Sequence, residues 1–150
     1  GNVSGKQSAE NKKSNMNNKS NIDSKFQSLL EVISEESFHD LFAELIESSQ
    51  FLEEQKQIEL LEILAEKFQK FYNVDELTEN EKIFISEQLI KWTHFSDLNR
   101  VCKLVGLMFS FVDKRYYEFL RVSLKTEQLT FDVRMEIEES VEEFEKIYFK

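Results

Sequence analysis

The chain has 150 residues, a mass of 17.9 kDa and a formal net charge of -10. This length suits one domain with a substantial core and is short for two. Hydrophobic residues make up 41% and charged residues 32%, which excludes a wholly disordered chain, and the acidic balance disfavours nucleic acid and anionic lipid as partners.

Turn-forming residues are scarce, because the chain has no proline and three glycines beside fourteen phenylalanines. β-Sandwiches and β-barrels need Gly and Pro in their hairpins, so the composition predicts an all-α fold. The single cysteine, Cys102, cannot form an intramolecular disulfide, and no apolar run resembles a signal peptide or approaches the roughly 20 residues of a membrane span. We therefore expect a cytoplasmic protein.

The first part of the chain, residues 1–24, is rich in Asn, Ser and Lys and almost free of large apolar side chains. Such a segment cannot bury enough surface to offset its conformational entropy, which predicts a disordered polar tail. Residues 25–150 are predicted to form a single all-helical domain. The tail carries more bases than acids, so the domain is more acidic than the whole chain.

Apolar residues recur at three- and four-residue intervals from Lys25 onward, which predicts about seven helices, stacked as antiparallel hairpins or packed as a bundle. The predicted helices cover, in order, about 24–33, 34–48, 52–71, 78–93, 98–111, 113–124 and 131–149. Thr78 followed by Glu81 has the spacing of a capping box, Ser96 or Asp97 is expected to cap the fifth helix, and Asp113 the sixth. The fifth helix is the most apolar and should be the most buried, with Cys102 in the core.

Side chains with catalytic or metal-binding chemistry are few. His39 and His94 are the only histidines, and Glu35 is one helical turn before His39 without a second such pair. There is no phosphate-binding glycine loop and no nucleophile elbow, and the paired carboxylates fall on solvated helix faces. We expect no enzyme activity, no metal and no cofactor.

The segment 116–147 resembles a HEAT-type repeat, with an outer helix, a short turn and then Asp132, Val133 and Arg134 opening an inner helix. The resemblance implies that Asp132 and Arg134 tie neighbouring units together and that Val133 fills the core. Asp97 to Arg100 looks like a degenerate copy one unit earlier. Helical amphipathicity alone also produces chance matches to such a repeat, so a plain bundle remains the alternative.

In size and charge the chain is similar to small acidic bacterial immunity proteins built from HEAT-like repeats. That resemblance implies a non-enzymatic inhibitor that binds a basic protein partner, such as a toxin. An acidic helical surface would steer such a partner, and exposed aromatic side chains would anchor it. The candidate contact residues are Glu136, Glu139, Glu142, Glu143 and Glu145 in the last helix, with Glu53, Glu54 and Glu79 elsewhere.

A second hypothesis rests on the amino terminus. GNVSGK looks similar to the start of N-myristoylated proteins, with Gly1 as the acceptor, although Gly5 stands where the pattern prefers Ser or Thr. The lysines of the tail would add the electrostatic contribution that one acyl chain requires. On this hypothesis the protein is an adaptor at the cytoplasmic face of a membrane.

Overall fold

The computed structural model describes residues 22–24, 35–71 and 76–149. This part of the chain is built from α-helices and one 3-10 turn, and it contains no β-strand. The helices are α1 (Glu35–Ser48), α2 (Glu54–Phe71), α3 (Glu79–Trp92), α4 (Leu98–Phe111), α5 (Lys114–Thr126) and α6 (Phe131–Tyr148), with the 3-10 turn at Ser49–Phe51. The predicted all-α fold is confirmed, while residues 25–33 of the first predicted helix lie outside the described residues.

The chain divides into two compact units, residues 1–64 and 65–150, and the division falls within α2. The single domain that the sequence predicts, residues 25–150, includes parts of both units. Residues 22–24, which belong to the predicted tail, are helical, and the side chain of Ile22 is 2% exposed. Asp23 forms an ion pair of 2.7 Å with Lys56 of α2.

The first unit has an apolar core and one buried polar residue that organises a turn. The core residues of its described part are Ile22, Phe38, Leu41, Phe42, Leu45, Leu52, Ile58, Leu60, Leu61 and Leu64. The buried side-chain amide of Gln57 donates hydrogen bonds of 3.0 Å to the Ser49 carbonyl and 2.8 Å to the Leu52 carbonyl. These bonds hold the 3-10 turn against the first part of α2.

In the second unit, sequential helices are in contact, and helices two apart also pack together. α6 packs against both α5 and α4, and α5 packs against both α4 and α3. Contact with the next helix and with the one after it is the pattern of antiparallel hairpins arranged in two layers. The fully buried residues include Trp92, Leu104, Met108, Tyr116, Leu120, Ile137 and Phe144.

Three helices of the second unit begin at the cap residues that the sequence predicts. Thr78 and Glu81 form a reciprocal capping box, with the Thr78 N–H donating to the Glu81 carboxylate at 2.8 Å. The Asp97 carboxylate accepts from the Arg100 N–H at 3.1 Å, which selects Asp97 over Ser96 as the cap of α4. Asp113 caps α5. Local side-chain chemistry therefore fixes where these helices start.

One core prediction in α4 is wrong, because Cys102 is exposed. The buried residues of this helix are Val101, Leu104, Val105, Leu107, Met108 and Phe111. Cys102 follows Val101 by one position and therefore points about 100° away from it around the helix. Even this apolar helix leaves a solvent-facing strip, which also contains Lys103 and Gly106.

Candidate functional site

The exposed face of α6 carries a row of side chains that combines apolar and acidic groups. Phe131, Met135, Glu139, Glu142 and Lys146 follow one another at three- or four-residue intervals and all are exposed. They therefore share one face of the helix, opposite the buried residues. We call these five residues the outer strip. Its first two members are unusual, since the Phe131 side chain is 75% exposed and that of Met135 is 40% exposed.

The predicted acidic contacts on α6 do not lie on a single face. Glu139 and Glu142 belong to the outer strip, and Glu142 forms an ion pair of 3.2 Å with Lys146. Glu136 and Glu143 lie along one flank of the helix, where Glu136 comes close to Cys102 of α4. The acidic row predicted from the sequence is therefore divided by the helical geometry.

Glu145 lies on the opposite flank of α6 and has a structural partner. Its carboxylate accepts a hydrogen bond of 2.6 Å from the hydroxyl of Tyr117 in α5. Tyr117 is buried, and its ring stacks on Phe144 with centroids 5.1 Å apart. Loss of hydration, followed by the hydrogen bond and the negative charge of Glu145, raises the pKa of Tyr117 to about 12.

The three predicted acidic contacts outside α6 stand at the beginnings of two other helices. Glu53 precedes α2 and is exposed, and Glu54 is the first residue of α2 and is half-buried. Glu79 is the first residue of α3, is exposed, and lies 3.8 Å from the Lys82 ammonium. Carboxylates at these positions stabilise helix amino termini through the helix dipole. This structural role explains the presence of the three acids without any contact with a partner protein.

The Asp132, Val133 and Arg134 segment opens α6, with Thr130 as the cap residue. Val133 is buried, as the HEAT-type pattern implies. Arg134 donates a hydrogen bond of 3.2 Å to the carbonyl of Leu124, near the end of α5, and lies 3.7 Å from Glu138. Arg134 thus connects the two helices of its own hairpin, and Asp132 is exposed.

A pocket of about 490 Å³ opens in the second unit, between the start of α3 and the junction of α4 and α5. Its walls are largely apolar, and three bases and one acid complete the lining. The lining residues are Leu77, Lys82, Ile85, Ser86, Phe111, Val112, Asp113, Lys114, Arg115 and Tyr148. The sequence alone does not predict this pocket, because its residues come from three separate segments of the chain, 77–86, 111–115 and Tyr148.

The acid in this pocket, Asp113, is buried and fully hydrogen-bonded. Its carboxylate accepts bonds of 2.9 Å from the Ser86 hydroxyl and of 3.0 Å from the backbone N–H groups of Arg115 and Tyr116. Burial raises the pKa of this carboxyl, and the three donors and the Arg115 charge oppose that rise. Asp113 therefore acts as a cap and as a connection between α3 and α5.

The residues considered for chemistry are spread apart. Among the described residues, no three His, Cys, Asp or Glu side chains converge as metal ligands. His39 packs edge-on against Phe38, and His94 is exposed in the turn before α4. Loss of hydration and the nearby Glu136 raise the pKa of Cys102, which lowers its thiolate fraction and hence its nucleophilicity. The possible acyl acceptor, Gly1, lies outside the described residues.

Comparisons with known protein families, with characterised proteins and with solved structures find no match to this chain. Within the described segments, no helix has the length and apolar character needed to cross a bilayer.

Proposed function

We propose that this chain is a non-enzymatic protein-binding module whose outer strip binds a basic protein partner. The observation that carries the proposal is the exposure of Phe131 and Met135 on the face that also presents Glu139 and Glu142. Exposed aromatic and Met side chains are typical anchors of protein interfaces. Adjacent carboxylates favour a partner that places cations beside its apolar contact.

The charge of the chain supports the same class of partner. A formal net charge of -10 raises the rate of encounter with a basic protein and disfavours acidic competitors. The ion pair between Glu142 and Lys146 is exposed, so its exchange for a pair with a partner costs little. An inhibitor that covers the basic substrate channel of a toxic enzyme is the form of this function that the HEAT-type resemblance, size and charge favour.

The test is an affinity pull-down from the native source, with the intact chain as bait and mass spectrometry as readout. We expect one basic protein in stoichiometric amount, retained by the wild type and lost with F131A/M135A. The double variant E139Q/E142Q should retain less of it than the wild type does at low salt, and the difference should narrow as salt is raised. The changed side chains are exposed, so both variants should fold as the wild type does.

Matched controls separate the outer strip from general surface effects. Val122→Ala removes an exposed apolar side chain from α5, and E59Q/E87Q removes two exposed carboxylates from α2 and α3. Both controls should retain the partner. Equal retention by the outer-strip variants, or recovery of only acidic proteins, contradicts the proposal.

A further inference from the structure

We propose that the pocket between α3 and the junction of α4 and α5 binds a single-chain amphiphile with an anionic head, such as a medium-chain carboxylate. The proposal is independent of the outer strip, because none of the pocket residues belongs to it. It rests on the volume of the pocket, on its apolar walls and on the sign of the charges that surround it.

The walls can hold an alkyl chain. Leu77, Ile85, Phe111, Val112 and Tyr148 supply apolar atoms to the lining. The volume of about 490 Å³ falls within the usual range of small-molecule pockets, about 300–1,000 Å³. Removal of an alkyl chain from water into such a space is favourable in proportion to the apolar area that it buries.

The charges around the pocket are opposite in balance to those of the whole chain. Lys82, Lys114 and Arg115 all line it, in a chain whose formal net charge is -10. Lys114 and Arg115 are exposed, so their charged ends can reach a head group at the opening. Lys82 is half-buried and lies 3.8 Å from the exposed carboxylate of Glu79, a weak ion pair that a head group can replace. This local excess of cations selects an anionic head over a neutral or cationic one.

The buried acid does not compete for this role. The Asp113 carboxylate is already bonded to the Ser86 hydroxyl and to the Arg115 and Tyr116 N–H groups. These donors offset its negative charge from within the protein. The Lys114 ammonium lies 5.4 Å from the centre of the Phe149 ring, an exposed contact that a carboxylate can replace at little cost. A bound head group would thus contact the three bases rather than Asp113.

The experiment is a titration of the full chain with octanoate, followed by amide chemical shifts in nuclear magnetic resonance spectra. We expect saturable binding, with the largest shifts at Ile85, Ser86, Val112 and Lys114. The double variant K114Q/R115Q should bind octanoate roughly tenfold more weakly, because two charge-assisted contacts are lost. 1-Octanol has the same chain without the charge and should bind the wild type more weakly than octanoate does.

The matched control is K91Q/K103Q, which removes two exposed lysines outside the pocket and should bind octanoate as the wild type does. Circular dichroism and thermal midpoints of each variant verify that it is folded. The proposal is overturned by absence of saturable binding, by shifts centred outside the pocket, or by equal affinity for octanoate and octanol. Unchanged affinity in K114Q/R115Q also overturns it.

Discussion

The Ser86 hydroxyl lies 2.9 Å from both carboxylate oxygens of Asp113, and this contact joins the middle of α3 to the residue that begins α5. The same carboxylate accepts from the Arg115 and Tyr116 N–H groups at 3.0 Å. One buried side chain therefore satisfies the amino terminus of one helix and holds a second helix against it. Both side chains are buried, so removing one of them leaves the other with a lost bond that is costly to replace.

Ser86→Ala should lower the free energy of unfolding by about 1–2 kcal/mol, because it removes one donor from a buried carboxylate. Urea denaturation followed by circular dichroism measures the change. Ser110→Ala is the matched control, since the Ser110 hydroxyl also bonds within the second unit but only to the Gly106 carbonyl and near the surface. Its effect should stay within about 0.5 kcal/mol. Equal losses in the two variants contradict a special role for Ser86.

The protonation of Asp113 should make the free energy of unfolding of the protein depend on pH. Burial raises its pKa above the ordinary carboxyl value, so the folded chain binds this proton more tightly than the unfolded chain does. The resulting contribution to stability is fully present below the ordinary pKa and is lost as pH rises through the raised one. Asp113→Asn cannot titrate at this position.

We therefore expect the unfolding free energy of the wild type to increase relative to that of D113N as pH falls from about 7 toward about 4. Parallel urea denaturation of both proteins across this range is the measurement. The carboxyl groups that both proteins share cancel in the difference. A difference that is constant with pH, or that moves against the wild type on acidification, contradicts the prediction.

The sequence predicts much of the fold because the helix boundaries depend on interactions between residues that are close in the sequence. Thr78 with Glu81, Asp97 and Asp113 mark helix starts through contacts within three residues, and all three are confirmed. The apolar character of its neighbours predicts Cys102 in the core, and that prediction is wrong. The helical spacing of the buried residues of α4 leaves Cys102 on the exposed strip with Lys103 and Gly106.

The candidate sites were less predictable, because they depend on contacts between distant segments. Ser86 and Asp113 are 27 positions apart, and nothing near either residue indicates the other. Glu139, Glu142 and Glu143 are exposed, whereas Glu136 is half-buried and Glu145 is bonded to Tyr117, 28 positions away. Phe131 and Met135 are spaced to share a helix face with Glu139 and Glu142, so the helical spacing is the signal that could have indicated their exposure.

The bond between Tyr117 and Glu145 makes a prediction of its own. The carboxylate raises the pKa of Tyr117 through a hydrogen bond and a negative charge, after the larger effect of burial. Glu145→Gln keeps the shape and removes the charge, so it should lower the pKa of Tyr117 from about 12 toward the ordinary value of a tyrosine. Glu143→Gln, on the other flank of α6, should leave it unchanged.

The measurement is the chemical shift of the Tyr117 ζ carbon during an alkaline titration of protein labelled at its tyrosines. The sign for stability follows, since a pKa raised by folding means that stability is lost as pH rises through it. The wild type should therefore lose stability in strong alkali as Tyr117 ionises. If the pKa of Tyr117 is the same in E145Q as in the wild type, Glu145 does not contribute to raising it.

Glycine and alanine should have opposite effects on stability at two positions of α4, one within the helix and one at its carboxyl end. Gly106 lies within α4, and a Cβ atom added there meets nothing within 4 Å, so Gly106→Ala should stabilise the protein by about 0.5–1 kcal/mol. Val112 ends the same helix with φ 52 and ψ 54, a left-handed conformation in which a Cβ atom is strained. Glycine should be preferred there.

The test at position 112 compares V112G with V112A. Both variants lose the methyl groups of the half-buried valine, and only V112G also loses the Cβ atom. V112G should be more stable than V112A by about 1 kcal/mol, the reverse of the order at position 106. Denaturant midpoints at a common slope give both differences. If alanine is the more stable residue at both positions, Val112 does not adopt the left-handed conformation in the folded chain. The lining of the pocket at Val112 would then differ as well.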